Sequence, residues 1–282
     1  MPMEVHDRIR QAGQDLTLAE RRVAHVVLER PQLVGFGTVA DLANAAEAGA
    51  ATVVRLAGKL GYEGFSALQA SIQRDLSMQL RPAVERIREL GGDQPIERHR
   101  AAEVSNVQAT LDAVEAVALD AVVGLLADLD RAVMVLAGEA ERGVALQFAT
   151  DLGALRPGVS LLGGSDVSVR RDLALAAPAS VLVAIDLRRY ERWLLEAVDV
   201  AQQVGSTVVA LSDGLLSPLA MSADHSFVLA ASSVSPFDSH VGTLALLDLL
   251  VASVAERSRD AAAERLERVE AAWTAGRSLT DG

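Results

Sequence analysis

The stretch Val181-Leu182-Val183-Ala184-Ile185 is the clearest of five short apolar runs that alternate with longer helical segments after residue 131. Short β-branched runs of this kind are typical of parallel strands buried on both faces. The alternation of strands and helices predicts an α/β domain with a doubly wound parallel sheet. The predicted strands span residues 132–137, 159–162, 181–185, 208–211 and 226–229.

Helices are predicted between these strands and after the last of them. A last long helix is predicted from about Ser235 through Ala255, with an extension to Trp273. Ligands of such sheets bind beyond the carboxyl ends of the strands, so the loops after the strands are the candidate binding segments. The helices between the strands are predicted over residues 140–155, 167–176, 189–204 and 217–223.

The first 80 residues have a different, all-helical pattern. Thr17 and Thr38 each precede a predicted helix and are followed three residues later by an acidic residue, which is the pattern of a capping box. Pro31 is predicted to lie just past the end of the first of these helices. Two further helices are predicted over 50–60 and 66–80. The sequence therefore predicts three regions: a helical domain over 1–80, a helical linker over 81–127 with a helix over 97–127, and the α/β domain over 128–282.

Composition excludes several classes of protein. Half of the 282 residues are apolar, which is enough for a folded core, and the absence of Cys excludes disulfide scaffolds and Cys-ligated metals. Five scattered His residues predict no metal site, and no motif predicts a cofactor. The longest apolar run, 241–255, is broken by Asp248, so we expect no membrane partner and a cytoplasmic protein.

A candidate DNA-reading helix lies near the end of the helical domain. The net charge of the chain is −12, but residues 1–80 hold 8 Lys/Arg and 9 Asp/Glu and are nearly neutral. Two short helices on either side of a turn at Gly49 predict a helix–turn–helix. Thr52, Arg55 and Lys59 are expected on the outward face of its second helix, where they suit base edges and phosphates. The alternative is an amphipathic helix with a solvated polar face.

Three ordered blocks in this region resemble the N-terminal domain of RpiR-type transcriptional regulators. They are Leu16-Thr17-Leu18-Ala19-Glu20-Arg21-Arg22-Val23-Ala24, Thr38-Val39-Ala40-Asp41-Leu42-Ala43, and Ala51-Thr52-Val53-Val54-Arg55-Leu56 followed by Lys59-Leu60-Gly61-Tyr62-Glu63-Gly64-Phe65. The resemblance implies that the second helix of the motif reads double-stranded DNA. The candidate DNA-binding residues are Gly49, Ala51, Thr52, Arg55 and Lys59. Gly49 stands where the family usually has a Ser cap, so a hydroxyl for a phosphate is lost there.

The same resemblance implies that the C-terminal domain is a sugar-isomerase (SIS) domain of flavodoxin-like strand order that senses a phosphosugar, a carbohydrate derivative. Phosphosugar-binding SIS domains resemble one another in a Ser-x-Ser-Gly-x-Thr loop, which Asp186-Leu187-Arg188-Arg189-Tyr190-Glu191 replaces here. Glu139 and Glu141 stand in a second loop that is usually rich in Gly and Ser. The phosphate ligands of the family therefore do not carry over to these positions.

Two interpretations of the altered loop remain open. Either Arg188 and Arg189 bind a small anionic metabolite with forked donors, or the crevice is degenerate or holds something other than a sugar phosphate. The alternative for the two Arg residues themselves is a solvated helix start, in which they pair with Glu191 or Glu196. A singly charged acid is favoured over a bisphosphate because two carboxylates lie across the crevice. The candidate ligand-binding residues are Arg142, Ser165, Asp186, Arg188, Arg189, Tyr190, Ser235 and Asp238.

An enzymatic function is the weaker alternative. An isomerase of the SIS type needs a general base, and His225, His240, Glu139 and Glu141 are available, but no pair has a convincing spacing. No catalytic residue is therefore assigned. A homodimer or tetramer is expected, since paired half-sites on DNA need two-fold symmetry and the C-terminal helix offers apolar surface.

Overall fold

The computed structural model describes residues 5–12, 16–79, 83–88, 91, 93–214 and 217–278. These residues form two compact units, an N-terminal unit over residues 1–85 and a C-terminal unit over residues 86–282. Leu80 of the predicted fourth helix, Gly92 of the predicted break in the linker, and residues 215–216 of one predicted loop lie outside the described residues.

The N-terminal unit is all-helical, as predicted. Thr17 and Thr38 form the expected capping boxes with Glu20 and Asp41. Pro31 does not simply follow a helix but begins another one, because its fixed φ and missing N–H suit the first position of a helix. The helices are α1 (Val5–Ala12), α2 (Leu18–Glu29), α3 (Pro31–Phe36), α4 (Val39–Ala45), α5 (Ala50–Lys59) and α6 (Phe65–Gln79).

Apolar residues at helical spacing build the core of this unit. Val53 and Leu56 of α5 are fully buried against Val23 of α2 and Leu42 of α4, and Leu68 of α6 belongs to the same cluster. Burying a Val or Leu side chain stabilises a fold by about 1.5–3 kcal/mol. The inward positions of α2 and α5 are therefore as the sequence predicts, and they hold α4 and α5 as a helix–turn–helix.

The segment after residue 80 contributes helices rather than an isolated linker. A short helix, α7 (Ala83–Arg88), crosses the boundary between the units. The single helix predicted over 97–127 is two helices, α8 (Pro95–Asp112) and α9 (Ala116–Ala127). Both pack on the C-terminal unit, where Val122 and Leu126 of α9 join the core beneath the sheet.

The C-terminal unit is a doubly wound parallel sheet with the strand order β2-β1-β3-β4-β5, which confirms the predicted flavodoxin-like order. Registered pairs such as Val135 with Val183 align the central strands. The strands are β1 (Val133–Ala137), β2 (Val159–Leu161), β3 (Val181–Ile185), β4 (Thr207–Ser212) and β5 (His225–Val228). The intervening helices are α10 (Arg142–Leu155), α11 (Asp166–Ala174), α12 (Arg192–Gln203) and α13 (Pro218–Ser222).

Alternate residues of each central strand pack on opposite faces of the sheet. Val133 and Val135 of β1 lie in the cluster formed with α9, α10 and α14 (Val241–Arg257), whereas Met134 and Leu136 lie in the cluster formed with α11, α12 and α13. Helices thus cover both faces, which explains why the strands read as continuous apolar runs. The carboxyl ends of the strands are left to the loops.

The last long helix differs from the prediction in two ways. It begins at Val241 rather than at Ser235, because residues 229–240 form an irregular loop after β5. It also breaks at Ser258, after which α15 (Arg259–Gly276) continues. Ser235 forms hydrogen bonds within a local turn of this loop. Its hydroxyl donates to the carbonyl of Phe237 at 2.9 Å and accepts from the Phe237 N–H at 3.1 Å.

Candidate functional site

The exposed face of α5 differs from the predicted one at Thr52, whereas Arg55 and Lys59 are exposed as predicted. Thr52 is buried, with 6% of its surface exposed, and its hydroxyl accepts a hydrogen bond from Arg55 Nη2 at 3.0 Å. The expectation that Thr52 points outward is therefore wrong. The residues that face solvent at i, i+3, i+4 and i+7 are Ala51, Val54, Arg55 and Gly58, which we call the α5 stripe.

The α5 stripe is smooth and nearly free of long side chains. A Cβ on Gly58 would meet no atom within 4 Å, and the same holds at Gly49, the N-cap of α5. Val54 is 48% exposed although it is apolar. Arg55 is the one charged member of the stripe, and its bond to Thr52 holds its guanidinium close to the helix. Such a surface allows close approach to a flat or grooved partner.

Lys59 takes part in an ion pair within the fold. Its Nζ donates to Glu20 Oε2 at 2.8 Å, joining α5 to α2. The Glu20 side chain is 3% exposed and also accepts from the N–H and hydroxyl of Thr17. The hydrogen bond from Lys59, followed by that from the Thr17 backbone, lowers the pKa of Glu20 from 4.5 to about 2. The lysine predicted to meet DNA phosphate thus also holds the helices together.

In the C-terminal unit, carboxylates crowd the crevice beyond the carboxyl ends of β1 and β3. Asp186 Oδ2 accepts the Glu191 N–H at 2.9 Å, and Glu191 Oε1 accepts the Glu139 N–H at 2.6 Å. A Cβ on Gly138 would lie 2.5 Å from Glu141 Oε2 and 3.0 Å from Asp186 Oδ1. Backbone N–H groups that would otherwise face a ligand are thus satisfied by the chain's own carboxylates.

Two of these carboxyl groups hold protons more tightly than usual. Burial, together with the nearby charge of Asp186, raises the pKa of Glu141 to about 8. Burial also raises the pKa of Asp186 to about 7, with repulsion from Glu191 acting in the same direction. Because both values lie near or above neutral pH, this part of the crevice carries less negative charge than its composition suggests.

A second cluster lies beside the first and contains both signs of charge. Arg188 Nη2 lies 3.5 Å from Asp238 Oδ1, and Arg188 Nε lies 3.9 Å from Asp213 Oδ2. The Tyr190 hydroxyl donates to Asp213 Oδ1 at 2.8 Å, and burial raises the pKa of this phenol. Arg86 of α7 reaches the same cluster, with Nη1 2.7 Å from Asp238 Oδ1. Sequence reasoning missed Arg86 and Asp213.

The structure brings only half of the predicted ligand-binding residues together. Asp186, Arg188, Tyr190 and Asp238 line the two clusters. Four others are engaged elsewhere or face solvent. Arg142 is exposed and lies 3.6 Å from Glu139 Oε2, Ser165 caps α11, Arg189 is exposed with a φ of 72°, and Ser235 holds its local turn.

The pairing predicted within the helix is not seen for Arg188, whose carboxylate partners lie on other loops. Glu196 instead pairs with Arg170 of α11. His225 begins β5 and so lies at the amino edge of the sheet, away from the crevice. Among the described residues, no group of His, Asp and Glu has the arrangement of a metal site.

Comparison with known proteins agrees with both units. A family model described as a helix-turn-helix domain of the rpiR family matches residues 3–79, and a SIS-domain model matches residues 126–253. The chain belongs to the RpiR family of transcriptional regulators. An HTH-type regulator of Escherichia coli strain K12, YfhH, is 28% identical over 276 residues, which cover 94% of this chain and 96% of that protein.

Two solved structures share the architecture of this RpiR-type chain. The sugar isomerase domain of an RpiR transcription factor from Sphaerobacter thermophilus has a TM-score of 0.58 and 29% identity, and covers 63% of this chain and 99% of its own. The Vibrio vulnificus NanR protein complexed with ManNAc-6P has a TM-score of 0.57 and 21% identity, and covers 99% of this chain and 100% of its own. Both matches agree with the doubly wound sheet seen here.

Within the part of the RpiR-type chain that the structure describes, no helix combines the length and apolarity needed to cross a membrane. The family assignment makes the protein a transcriptional regulator with a DNA-binding helix–turn–helix and a SIS domain.

Proposed function

We propose that this regulator reads DNA with the α5 stripe and that a small, singly charged metabolite in the crevice of the SIS domain controls it. The exposed row of Ala51, Val54, Arg55 and Gly58 on the second helix of the helix–turn–helix carries the proposal. An α-helix fits the major groove when its outward side chains are short enough to let it approach the base edges.

In this proposal Arg55 and Val54 contact different bases. An Arg guanidinium donates in a forked geometry to the O6 and N7 acceptors of guanine. An exposed apolar side chain such as Val54 suits the C5 methyl group of thymine. We therefore expect a half-site in which guanine and thymine lie close together. The flanking Ala51 and Gly58 add no contact of their own but let the helix sit deep.

Binding to a duplex selected by the full-length protein from a random-sequence pool tests this assignment. Arg55→Ala should weaken binding by about 1–3 kcal/mol and relax the preference for one guanine, because a forked base contact is lost. Arg30, an exposed arginine outside α5, provides the matched control Arg30→Ala. If both variants bind the selected duplex like the parent protein, α5 does not read the bases.

The crevice favours a singly charged effector over a phosphosugar bound in the manner of the wider family. The N–H groups of Glu139 and Glu191 already donate to carboxylates of the chain, so a phosphate would have to displace these carboxylates to be held by backbone N–H groups. The Arg188 side chain supplies a positive charge in the crevice and is only 12% exposed.

Thermal unfolding of the full chain in the presence of sugar phosphates and of small carboxylic acids separates the alternatives. Stabilisation by a carboxylic acid but not by sugar phosphates supports the proposal, since a ligand stabilises the state that binds it. Stabilisation by sugar phosphates alone refutes it. No stabilisation by any compound favours a regulator whose crevice is permanently closed, for which the carboxylate hydrogen bonds are the supporting observation.

The remaining proposals concern catalysis and assembly. We assign no catalytic residue, because His225 lies at the amino end of β5, away from the crevice beyond the carboxyl ends of the strands. A sugar-phosphate isomerase assay should give no turnover.

We also propose a homo-oligomer, because Leu244, Leu266 and Trp273 are exposed apolar residues of α14 and α15. Light scattering that gave the monomer mass of 29.7 kDa would contradict this.

A further inference from the structure

Two arginines from distant parts of the C-terminal unit hold a single carboxylate of the same chain. Arg86 of α7 and Arg188 of the loop after β3 lie 2.7 and 3.5 Å from the same oxygen, Asp238 Oδ1. The Nε atoms of both arginines are buried and have no hydrogen-bond partner among the described residues. Buried guanidinium N–H groups are costly to leave unbonded, so both side chains retain unused capacity to donate.

We infer that Arg86 and Arg188 form an anion-binding site for the carboxylate of a small metabolite, and that Asp238 occupies this site as an internal substitute for the ligand. The inference rests on the proposed function, since it places the acidic group of the effector. The ligand's carboxylate takes the position of the Asp238 carboxylate and accepts hydrogen bonds from both guanidiniums.

The loop that carries Asp238 is anchored by hydrogen bonds that do not involve the Asp238 side chain. Ser232 is fixed to Asn106 of α8 by two hydrogen bonds, of 2.7 and 3.0 Å. Ser239 donates to Glu103 of α8, and its N–H donates to the carbonyl of Ala231 at 3.1 Å. The intervening residues form no helix or strand, and the Asp238 side chain is already 17% exposed. Rotation of this side chain into water therefore disturbs neither anchor.

Local charge selects the class of ligand. With Asp238 displaced, the carboxylate that still pairs with one of the two arginines among the described residues is Asp213, beside Arg188, which leaves one positive charge to be balanced. A monocarboxylate supplies that balance. A phosphate dianion brings one negative charge more than this single positive charge balances. The site therefore fits a monocarboxylate better than a sugar phosphate.

Asp238→Ala provides a direct test with acetate as the probe. Removal of the internal carboxylate leaves a space between the guanidiniums, and we expect the full-length variant to bind acetate at least about tenfold more tightly than the parent protein, as removing an intramolecular competitor predicts. The measurement is the rise of the melting temperature with acetate concentration at constant ionic strength, with chloride as the balancing ion. Asp248→Ala, at an exposed position of α14, is the matched control and should bind acetate like the parent protein.

A second substitution identifies the donors. Arg188→Met added to Asp238→Ala should abolish the gain in acetate affinity, whereas Arg192→Met, at an exposed position of α12, should keep it. If Asp238→Ala does not fold, Asp238→Asn preserves the shape and should still show a gain. The inference is overturned if neither variant gains acetate affinity, or if the gain survives Arg188→Met. DNA binding by the same variants, measured separately, reports on the proposed function itself, so the two failures are distinguishable.

Discussion

Lys59→Met should destabilise the N-terminal unit rather than remove a phosphate contact. The substitution keeps the apolar length of the side chain but deletes the donor to Glu20 Oε2. A hydrogen bond to a charged group contributes about 1.5–3 kcal/mol. Because the Lys59 side chain is 40% exposed and solvent screens its charge, we reduce this to about 1–2 kcal/mol. Glu20, almost completely buried, then keeps only its bonds to Thr17.

The loss should also change the response to acid. In the folded parent protein the pKa of Glu20 is about 2, below its ordinary 4.5, so the folded state favours the charged carboxylate. The stabilisation is fully present above about pH 4.5 and is lost as the pH falls toward 2. In Lys59→Met the pKa of Glu20 should rise toward its ordinary value, and the pH range over which acid destabilises the N-terminal unit through Glu20 should become narrower.

Urea denaturation of the full chain, followed by circular dichroism, measures the change in the transition that belongs to the N-terminal unit. Glu20→Gln and the double variant complete a double-mutant cycle that isolates the Lys59–Glu20 interaction. DNA binding over a range of salt concentrations is the second readout. Unchanged stability together with a salt slope reduced by about one would show that Lys59 acts as a phosphate contact, and would refute this reasoning.

Three further predictions follow from individual contacts. Val54→Ala should abolish the preference of the protein for thymine over uracil at one position of the selected duplex, which a duplex with deoxyuridine at that position checks; a preference that survives contradicts the methyl contact. Arg156→Met should cost about 1–3 kcal/mol in urea denaturation, because the carbonyls of Leu126 and Asp128 lose the donor that the buried guanidinium supplies. As the pH rises from 4.5 to 8, the parent protein should lose stability, because Glu141 ionises in the unfolded state but stays protonated in the folded state. Glu141→Gln should lose less stability over the same range, and an equal pH dependence of the two proteins would contradict the raised pKa.

The strands and the helix–turn–helix could be predicted because their signals are local. Val181 to Ile185 is an uninterrupted apolar run, and the structure gives β3 the same limits. Thr17 and Thr38 carry their capping partners three residues away, within one turn of helix. In both cases the residues that determine the structure are neighbours in the sequence, so no tertiary information is needed.

Thr52 was wrongly placed on the outward face of α5 because polarity was a poor guide there. The prediction placed Thr52 with Arg55 and Lys59, since polar residues usually face water. In the fold Thr52 is buried and hydrogen-bonded to Arg55, while the apolar Val54 is exposed. A single apolar residue such as Val54 is often exposed on a protein surface, so polarity alone does not fix which residues of a short helix face water.

Four members of the charge clusters in the crevice were predicted, but the pairs that they form with Arg86 and Asp213 could not be, because the partners are distant in sequence. Arg86 and Asp238 are 152 residues apart, and nothing near either of them indicates the other. Arg156 is a similar case, since the sequence places a charged residue at the end of α10 and only the fold shows it buried among backbone carbonyls. Such contacts form only when the fold brings together segments that are far apart in the sequence.

Arg86 lies on α7, so a ligand that replaces Asp238 in the crevice changes the contacts of this helix. Arg86 follows directly after residue 85, where the N-terminal unit ends, and α7 is one continuous helix across that point. A ligand shifts a conformational equilibrium only if it binds the two states with different affinity. Exchange of Asp238 for a ligand carboxylate keeps Arg86 neutralised but frees it from the loop after β5. A ligand that binds Arg188 alone leaves the Arg86–Asp238 pair intact. Only the first kind of ligand changes the contacts of α7, so DNA binding measured with each kind of ligand tests whether occupation of the crevice acts through these contacts.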